Sequence, residues 1–539
     1  MDFEKVLNKC GDYSRYQFLL LISFGVLNIF SAWHYFAQTI VGFTPPHWCS
    51  HESFTNLSFV DIKAIYSKFE RPSCTKLIKV DAGLESYYTA SEEKCTEWIY
   101  NYDFGYKSIS AEMNWVCDDA HKLAVGQSLF FIGSVIGTIL FGYFADRIGR
   151  LPTMIMANLS GCIGDFLSSY TSSLPEFAAC RFISGMATDT CFYLMYIMVF
   201  EYIRPSKRTF GLNIIPGIFY CLGLVMIPWM AVSMGNWRNF LFLESIPIAT
   251  VVFYAFFLCE SAQWLITRQD YEGAVKCLKH VAKFNRRTVE ESVFDEFEKY
   301  CRNTIQKCID EKHIDDNFFG MFKTPRLRKI TIILLIKSMI ITISFDIVGK
   351  NMEGLGTSPF ILFSTTSLVY IPAALTMICL QNRIGRKGMA CFSLFMCSVF
   401  TMTIGITIVN INSFENATIL ALLVAVSRYG TVIAYEAEAQ YAAELIPTSV
   451  RGQGVAIIHV VGYLFSFLSA YILYLGNYYR SFPSVFVSTI MLFGSFLCLF
   501  LPETVNKTLP NYLSEGEQFA RHEKWYQFRV SKNKKDVAI

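Results

Sequence analysis

The stretch Gly142-Tyr143-Phe144-Ala145-Asp146-Arg147-Ile148-Gly149-Arg150 ends an apolar run, and 236 positions further on a second apolar run ends in Asn382-Arg383-Ile384-Gly385-Arg386. Two more acid–base features recur at helix exits, 243 positions apart: Glu201 and Arg208 with Glu444 and Arg451, and Glu260 with Glu503. Three features at nearly one interval are not expected by chance. The chain is therefore predicted to consist of two related halves.

The composition is that of a membrane protein. Of 539 residues, 53% are hydrophobic and 17% are charged, whereas soluble proteins have about 25% charged residues. A helix that crosses a bilayer needs about 20 apolar residues, and twelve such runs are present: roughly 17–40, 122–145, 151–170, 178–200, 210–233, 239–258, 328–348, 358–380, 388–409, 416–440, 452–475 and 482–501. The predicted fold is all-α, with twelve transmembrane helices in two pseudo-symmetric six-helix bundles.

Two long polar segments divide the chain, and the second has Glu and Lys at helical spacing, as in a solvated helix. The predicted organisation is a cytoplasmic N-terminus at 1–16, an N-terminal bundle at 17–258 with an extracellular loop at 41–120, a cytoplasmic helical linker at 259–327, a C-terminal bundle at 328–501 and a cytoplasmic tail at 502–539.

Lysine and arginine placement predicts the orientation, because positive loops stay cytoplasmic. The basic residues cluster after spans two, four and eight: Arg147, Arg150, Arg204, Lys207, Arg208, Arg383, Arg386 and Lys387. We therefore expect a multi-pass plasma-membrane protein with both termini in the cytoplasm and the lipid bilayer as its surroundings. The net charge of +3 gives no reason to expect a nucleic-acid partner.

The predicted extracellular loop has the features of an oxidised, glycosylated segment. It contains the sequon that begins at Asn56 and four cysteines, which allow three pairings: Cys49, Cys74, Cys95 and Cys117. An even number of cysteines beside a glycosylation acceptor fits an extracellular location. We expect disulfides here, and we expect any homo-oligomer to form through this loop.

Further short motifs stand at the ends of the predicted spans: Gly42-Phe43-Thr44-Pro45, Trp115-Val116-Cys117, Arg181-Phe182 with Gly185, Glu260-Ser261 with Trp264-Leu265, Ala443-Glu444-Leu445-Ile446-Pro447-Thr448 with Arg451, and Leu501-Pro502-Glu503-Thr504. Together with residues 142–150 they resemble the major facilitator superfamily and, within it, the organic cation, anion and carnitine transporter family (solute carrier family 22). The resemblance covers nearly the whole chain. It implies the major facilitator fold and alternating-access transport of a small organic ion, and duplicated bundles of this kind place the solute site between them near the bilayer midplane.

The repeated loop motif is interpreted as a gate. A carboxylate at a helix end meets the positive N-terminus of a neighbouring helix, and the arginines are expected to pair with Glu201 or Glu444 across the cytoplasmic mouth. The gating candidates are Asp146, Arg147, Arg150, Arg181, Glu201, Arg208, Arg386, Arg428, Glu444 and Arg451. The alternative is that the arginines only enforce topology. Leu151 and Asn382 depart from the family pattern, which predicts a weaker clamp in the second half.

Charged residues inside spans point to a solute site, because each costs about 2.5–3.5 kcal/mol at a helix centre. Acids outnumber bases: Asp165, Asp189, Asp346, Glu436 and Glu438 against Arg181, Lys337 and Arg428. An acidic cavity with aromatic walls suits a cationic or zwitterionic amine. The substrate-binding candidates are Glu436, Tyr463, His459, Tyr35, Phe192, Tyr196, Phe219, Asp189, Tyr370 and Asp346. Glu436 is the foremost counter-charge, whereas each aromatic ring has ordinary packing as its alternative role.

One position argues against simple transfer of a substrate from the resembled family. Where relatives that carry cations have Asp and relatives that carry anions or carnitine have Arg, this chain has Tyr463. An organic anion transporter and a transport-dead receptor or scaffold therefore remain as alternatives. The sequence has no phosphate-binding Gly-rich loop with Lys, no metal-ligand spacing and no Ser/His/Asp arrangement, so no enzyme activity, cofactor or metal is expected.

Overall fold

The structure of the protein is a computed structural model. It describes residues 3–11, 14–54, 57–69, 73–82, 85–203, 211, 214–310, 318–351, 357–410, 417–447, 450–505, 507, 510, 513–519, 521 and 525–528.

Twelve mostly long helical segments form the body of the molecule. In chain order they are span 1 (Arg15–Val41), span 2 (His121–Ile148), span 3 (Arg150–Ser168), span 4 (Leu174–Gly185 and Thr190–Tyr202), span 5 (Ile215–Met234), span 6 (Trp237–Ala249, continued by the 3-10 helix Thr250–Phe256), span 7 (Pro325–Lys350), span 8 (Pro359–Ser367 and Tyr370–Ile384), span 9 (Arg386–Asn410), span 10 (Ala417–Leu445), span 11 (Arg451–Leu475) and span 12 (Phe482–Cys498). The predicted twelve-helix fold is confirmed.

Ten helices in the described part of the chain are long and apolar enough to cross a membrane by length and composition alone. Span 12 is apolar but has only 17 residues. Span 3 begins with Arg150 and contains Asp165, which lowers its hydropathy. Both helices lie beside longer neighbours, because span 3 packs on span 6 and span 12 packs on span 9.

Helix packing divides the spans into two groups. In the first, span 1 packs on span 5 and span 2 on span 4; in the second, span 9 packs on span 10 and span 7 on span 11. The main contacts between the groups are those of span 2 with span 11 and of span 5 with span 8. The two halves therefore meet along a few helices, which leaves a central interface lined by side chains from both.

The segment between spans 1 and 2 folds into a small unit, which we call the loop unit. It contains β-strands, which the hydropathy pattern did not predict. It has strands β1 (His47–Cys49), β2 (Thr75–Ala82), β3 (Glu85–Lys94) and β4 (Trp98–Tyr100), helices Phe59–Tyr66 and Ile109–Glu112, and 3-10 turns Glu52–Phe54, Asp103–Gly105 and Cys117–Ala120. Strand β1 pairs with β4 and β2 with β3, both antiparallel. Disulfides join Cys49 to Cys95 and Cys74 to Cys117. Asn56 lies outside the described residues. We call this end of the molecule the loop face.

Short helices cover the opposite end, which we call the linker face. They are Phe3–Cys10, Ala262–Thr267, Tyr271–Phe284, Glu291–Asp310, Leu513–Gln518 and the 3-10 helix Phe318–Phe322. Asn285 ties the N-terminal helix to the linker. Its side chain accepts from the Tyr16 N–H at 2.8 Å and donates to the Cys10 carbonyl at 3.0 Å and to the Gly11 carbonyl at 2.9 Å. These bonds order the start of span 1.

Candidate substrate site and gates

Three of the five acids predicted inside the spans form ion pairs within one half. Asp165 pairs with Arg181 at 2.8 Å, Glu438 with Lys337 at 2.5 Å, and Asp346 with Lys350 at 2.8 Å, and all three pairs are buried. A buried charge that loses its partner destabilises a protein by about 3–5 kcal/mol. These three acids are therefore held by structural partners.

The other two acids, Asp189 and Glu436, have no ion pair among the described residues. Asp189 lies where span 4 breaks, between the helical segments that end at Gly185 and begin at Thr190. The intervening Ala-Thr-Asp sequence forms tight turns with three-residue hydrogen bonds, such as the one from the Thr188 N–H to the Gly185 carbonyl. Thr and Asp favour such local bonding over a continuous helix. The break exposes Asp189 to the second half.

Asp189 meets span 11 at the interface between the halves. The Tyr463 hydroxyl and the His459 ring both lie beside Asp189. The ring of Tyr193, four residues after Asp189, lies 6.5 Å from the ring of His459. Tyr435 of span 10 lies beside Tyr463. The structure thus brings Asp189, His459 and Tyr463 together, as predicted candidates, and adds Tyr193 and Tyr435.

Glu436 lies on span 10 next to Tyr370 of span 8. The Arg428 guanidinium lies 5.8 Å from the Tyr370 centroid and 4.7 Å from that of Phe363. Arg428 also donates to the Thr366 hydroxyl at 2.9 Å. An acid and a base therefore lie near the same aromatic ring.

A small cavity lies within the second half, beside His459. Its volume is about 20 Å³, and the side chains that line it include Ser338, Thr342, Tyr435 and Glu438. That volume holds about one water molecule. This cavity is therefore too small for an organic solute.

Contacts between the halves close the loop face. The Tyr35 hydroxyl of span 1 donates to Asp346 of span 7 at 3.1 Å, and the Lys350 ammonium lies 4.8 Å from the Phe131 ring centroid of span 2. The Ser128 hydroxyl of span 2 donates to the Phe467 carbonyl of span 11 at 3.1 Å, and the Ser358 hydroxyl before span 8 donates to Asp103 of the loop unit. Asp346 and Tyr35, both predicted to bind substrate, are engaged in this closure.

At the linker face, one carboxylate in each half covers the start of a span. Glu260 accepts from the Arg150 N–H at 2.9 Å and the Leu151 N–H at 3.1 Å, at the start of span 3. Glu503 accepts from the Arg386 N–H at 3.0 Å at the start of span 9. A carboxylate here satisfies N–H groups that lack a helical partner and faces the positive end of the helix dipole. Burial raises the pKa of Glu260, and the N–H donors act against that shift.

The glycines of the repeated motif make room for these carboxylates. Gly149 has φ +112° and Gly385 has φ +98°, a region that other residues rarely adopt. A β-carbon at Gly149 would overlap Glu260, and one at Gly385 would overlap Glu503. The two glutamates are visible in the sequence as a repeat, but neither belongs to the predicted gating set.

Two of the predicted gating arginines pair with a carboxylate of their own half. Arg150 pairs with Asp146 at 2.6 Å, four residues earlier, and Arg386 pairs with Glu444 at 3.1 Å. The latter pair joins adjacent ends of spans 9 and 10, which pack together. The Arg386–Glu444 pair is one of the expected pairs, and it lies within the second half. Glu201 accepts from the Ser261 hydroxyl.

The remaining gating candidates have other surroundings. Arg147 lies over the Tyr143 ring at 4.5 Å, and Arg451 donates to the Ile446 carbonyl at 3.4 Å. Arg181 and Arg428 are buried deep in their bundles, 1% and 2% exposed, away from the linker face. Arg208 lies outside the described residues.

Three aromatic candidates lie in packing positions of the first half. The Phe192 and Tyr196 rings lie 5.5 Å and 6.3 Å from the ring of Phe24 on span 1. Phe219 of span 5 packs over Gly25, where a β-carbon would meet its ring at 2.9 Å. These contacts match the packing alternative for each ring.

One group of candidate metal-ligating side chains comes together in the described part of the chain: His34, Asp165 and Glu244, with ligand atoms within 4.8 Å of one another. Both His34 nitrogens and both Asp165 oxygens already have partners, including Arg181. The positive charge of the Arg181 guanidinium, which is bonded to Asp165, would repel a metal cation at this position. The donor set therefore does not suit a metal ion.

Comparison with known proteins agrees with this architecture. The family described as sugar (and other) transporter matches residues 81–514. Human solute carrier family 22 member 13 is 24% identical over 96% of this chain and 93% of its own length, and human organic cation/carnitine transporter 2 is 25% identical over 95% and 94%. The xylose transporter XylE from E. coli, in a partially occluded inward open conformation, shares the fold with a TM-score of 0.58 at 15% identity over 92% of this chain and all of XylE. The chain belongs to the sugar (and other) transporter family of the major facilitator superfamily, and it is a membrane transporter of small organic solutes.

Proposed function

We propose that the protein carries small organic cations or zwitterions across the plasma membrane, with Asp189 and Glu436 as counter-charges. The observation that carries the proposal is that neither acid has an ion pair with any residue that the structure describes, whereas basic side chains neutralise the other three predicted acids. Both lie beside tyrosines at the interface of the halves. Aromatic faces attract a cation by about 0.5–2 kcal/mol each.

Zwitterions are included because a base, Arg428, and an acid, Glu436, both lie near Tyr370. A compound with an amine and a carboxylate a few bonds apart matches this arrangement of charges. The relatives named organic cation/carnitine transporter support the same class of solute. One Arg428 nitrogen, Nη2, is buried without a hydrogen-bond partner among the described residues, so it has capacity for a carboxylate.

The transport cycle in this proposal is alternating access. The loop face opens when the Tyr35–Asp346 bond and the span 2–span 11 contacts separate. At the linker face, gating by Asp146, Arg150, Arg386 and Glu444 requires that their pairs within a half are exchanged for partners in the other half in one of the two states. With both termini in the cytoplasm, cation entry is driven by the membrane potential or by exchange. The two bundles at 17–258 and 328–501 are the moving bodies.

The test is uptake by purified protein in proteoliposomes, with an inside-negative potential and a panel of labelled organic cations, zwitterions and anions. Wild-type protein is expected to take up cations or zwitterions. Glu436→Gln is expected to lower cation uptake by roughly 10- to 150-fold, because a hydrogen bond to a charged group contributes about 1.5–3 kcal/mol.

Glu176→Gln is the matched control, because Glu176 is exposed at the start of span 4 and contacts only its own cap. Its uptake is expected to equal that of wild type. Anion uptake without cation uptake would replace the proposal with an organic anion carrier. No uptake of any class, with binding retained, would indicate a receptor or scaffold.

A further inference from the structure

Four ionisable side chains meet in the interior of the first half, and we call them the buried quartet. They are His34 of span 1, Asp165 of span 3, Arg181 of span 4 and Glu244 of span 6. Each residue is at most 3% exposed. Neither His34 nor Glu244 is among the residues predicted from the sequence.

The quartet is only partly paired. Asp165 accepts from Arg181 at 2.8 Å and from the Ser184 hydroxyl at 2.7 Å, and it lies 2.7 Å from His34 Nδ1. Both oxygens of Glu244 are buried without a hydrogen-bond partner in the described part of the chain. An ionised carboxylate in that position costs several kcal/mol.

The quartet is electrically neutral when His34 and Glu244 together hold one titratable proton. Arg181 and Asp165 neutralise each other. His34 and Glu244 are neutral when Glu244 holds a proton, and they form an ion pair when His34 holds it, so the sum is zero in both cases. Without this proton the quartet has a net charge of −1, and with a second proton +1. Either charge is unfavourable in a dehydrated core.

The second half has a corresponding contact between its helices, and the residues that correspond to Asp165, Arg181 and Glu244 are uncharged. We call this contact the uncharged junction. At the repeat intervals of 236 and 243 positions, Asp165 corresponds to Thr401 and Ser184 to Ser427. The Ser184–Asp165 bond of 2.7 Å has its counterpart in the Thr401–Ser427 bond of 2.6 Å, which supports the alignment.

At the same 243-position interval, Arg181 corresponds to Val424 and Glu244 to Val487, both buried. The fold therefore packs this junction with uncharged side chains in one half. Because buried charges are costly, their presence in the other half indicates a role other than packing.

Among the described residues, the charged neighbours of Glu244 are Asp165 and Arg181, which already pair with each other. Tyr106 of the loop unit has a buried hydroxyl without a partner among the described residues, and burial together with the Glu244 carboxylate raises its pKa, so it stays neutral. Cys162 on span 3 lies beside Asp165 as a thiol. Span 5, which packs on span 6, contains no charged residue.

The quartet is connected to the solute site through two spans. His34 precedes Tyr35, whose hydroxyl bridges to the second half. Ser184 bonds to Asp165 through its hydroxyl and to His34 through its carbonyl, and it lies five residues before Asp189 at the break in span 4. A change in that break on solute binding would alter both bonds.

We propose that the buried quartet is a proton site and that the protein exchanges one proton for each monovalent organic cation. A cation at Asp189 favours the quartet that has lost its proton, because the resulting negative charge attracts the cation. The proton leaves the Glu244 carboxyl for water on one face and is regained from water on the other, while Arg181 and Asp165 stay charged. The inference rests on the proposed cation transport.

The test uses wild-type protein in proteoliposomes with the potential clamped at zero and a labelled tetraalkylammonium ion, whose charge does not change with pH. An interior one pH unit more acidic than the exterior is expected to accumulate the cation about tenfold, the limit for one-for-one exchange. Glu244→Gln is expected to abolish this accumulation while exchange of labelled for unlabelled cation at equal pH continues.

Thr401→Val in the uncharged junction is the matched control and is expected to accumulate the cation like wild type. Wild-type protein could exchange the cation without accumulating it in response to the pH gradient, or could accumulate it when the interior is more alkaline. Either result would overturn the proton site and leave the proposal of cation transport intact. Absence of any cation exchange at equal pH would overturn both proposals. The wild-type measurement decides without a variant if Glu244→Gln fails to fold.

Discussion

Tyr35→Phe removes one hydrogen bond between the two halves and leaves the ring in place. The Tyr35 hydroxyl donates to Asp346 at 3.1 Å, and both residues are buried. The bond exists only while the loop face is closed, because span 1 and span 7 belong to different halves. Its loss is therefore expected to favour the conformation that is open at the loop face.

The magnitude follows from the partners that remain. A hydrogen bond to a charged group contributes about 1.5–3 kcal/mol. Asp346 keeps Lys350 at 2.8 Å and the Ser469 hydroxyl, so it is not left unsatisfied. The lower limit of about 1.5 kcal/mol then applies, which is about a tenfold shift in the ratio of open to closed molecules.

The measurement is a distance distribution between spin labels at Lys122 and Leu475, at the loop-face ends of spans 2 and 11. The neighbouring His121 and Tyr474 rings lie 6.5 Å apart in the closed conformation. In Tyr35→Phe the ratio of long to short distances is expected to rise about tenfold, in agreement with the free energy above.

Tyr254→Phe is the matched control. It removes a buried bond of 2.8 Å to the Ser23 carbonyl, but both residues belong to the first half, so the bond does not depend on closure. An unchanged distribution in Tyr35→Phe, or an equal shift in Tyr254→Phe, would refute the assignment of the Tyr35 bond as a closing contact.

Two further predictions concern the two faces. Gly149→Ala is expected to destabilise the protein by about 1–3 kcal/mol and to lower its melting temperature in scanning fluorimetry, because φ is +112° and the β-carbon would overlap Glu260. Gly142→Ala is the control and is expected to match wild type, because nothing lies within 4 Å of a β-carbon there. Equal melting temperatures for the two variants would contradict the steric reasoning. Burial lowers the pKa of His47 in the loop unit. The folded loop therefore binds fewer protons than the unfolded loop. The contribution of neutral His47 to the stability of the folded loop is complete above about pH 6.5 and is lost as the pH falls below that value. Proteolysis within the loop is expected to be faster at pH 5.5 than at pH 7.5, and His47→Gln is expected to remove the difference; a pH effect that persists in this variant would assign it to another group.

Much of the membrane fold was predictable because hydropathy is a local property. The predicted sixth span, 239–258, corresponds to a helix that begins at Trp237 and continues to Phe256, and the predicted eleventh span, 452–475, to Arg451–Leu475. A bilayer requires a run of apolar residues whatever the partners of the helix are. The strands of the loop unit were not predicted, because short paired strands depend on disulfides and on each other.

The candidate site was predicted in part. Asp189, His459 and Tyr463 do meet at the interface, but Asp346 was assigned to the substrate and instead pairs with Lys350, one turn later on the same helix. That pair could have been predicted from the sequence, because residues four apart on a helix lie next to each other. Glu244 was missed because it stands inside a strongly apolar run.

The sequence by itself determined that the chain has two related halves, twelve spans and a glycine-containing motif at matching helix exits, since periodicity and repeats are properties of the linear order. Only the tertiary structure decided which carboxylates are neutralised and which face the interface. Asp165 and Asp189 are both acids inside spans, yet the first lies against Arg181 and the second against Tyr463. The physical reason is that the state of a buried charge depends on the neighbours within a few ångströms, and those neighbours come from helices distant in the chain.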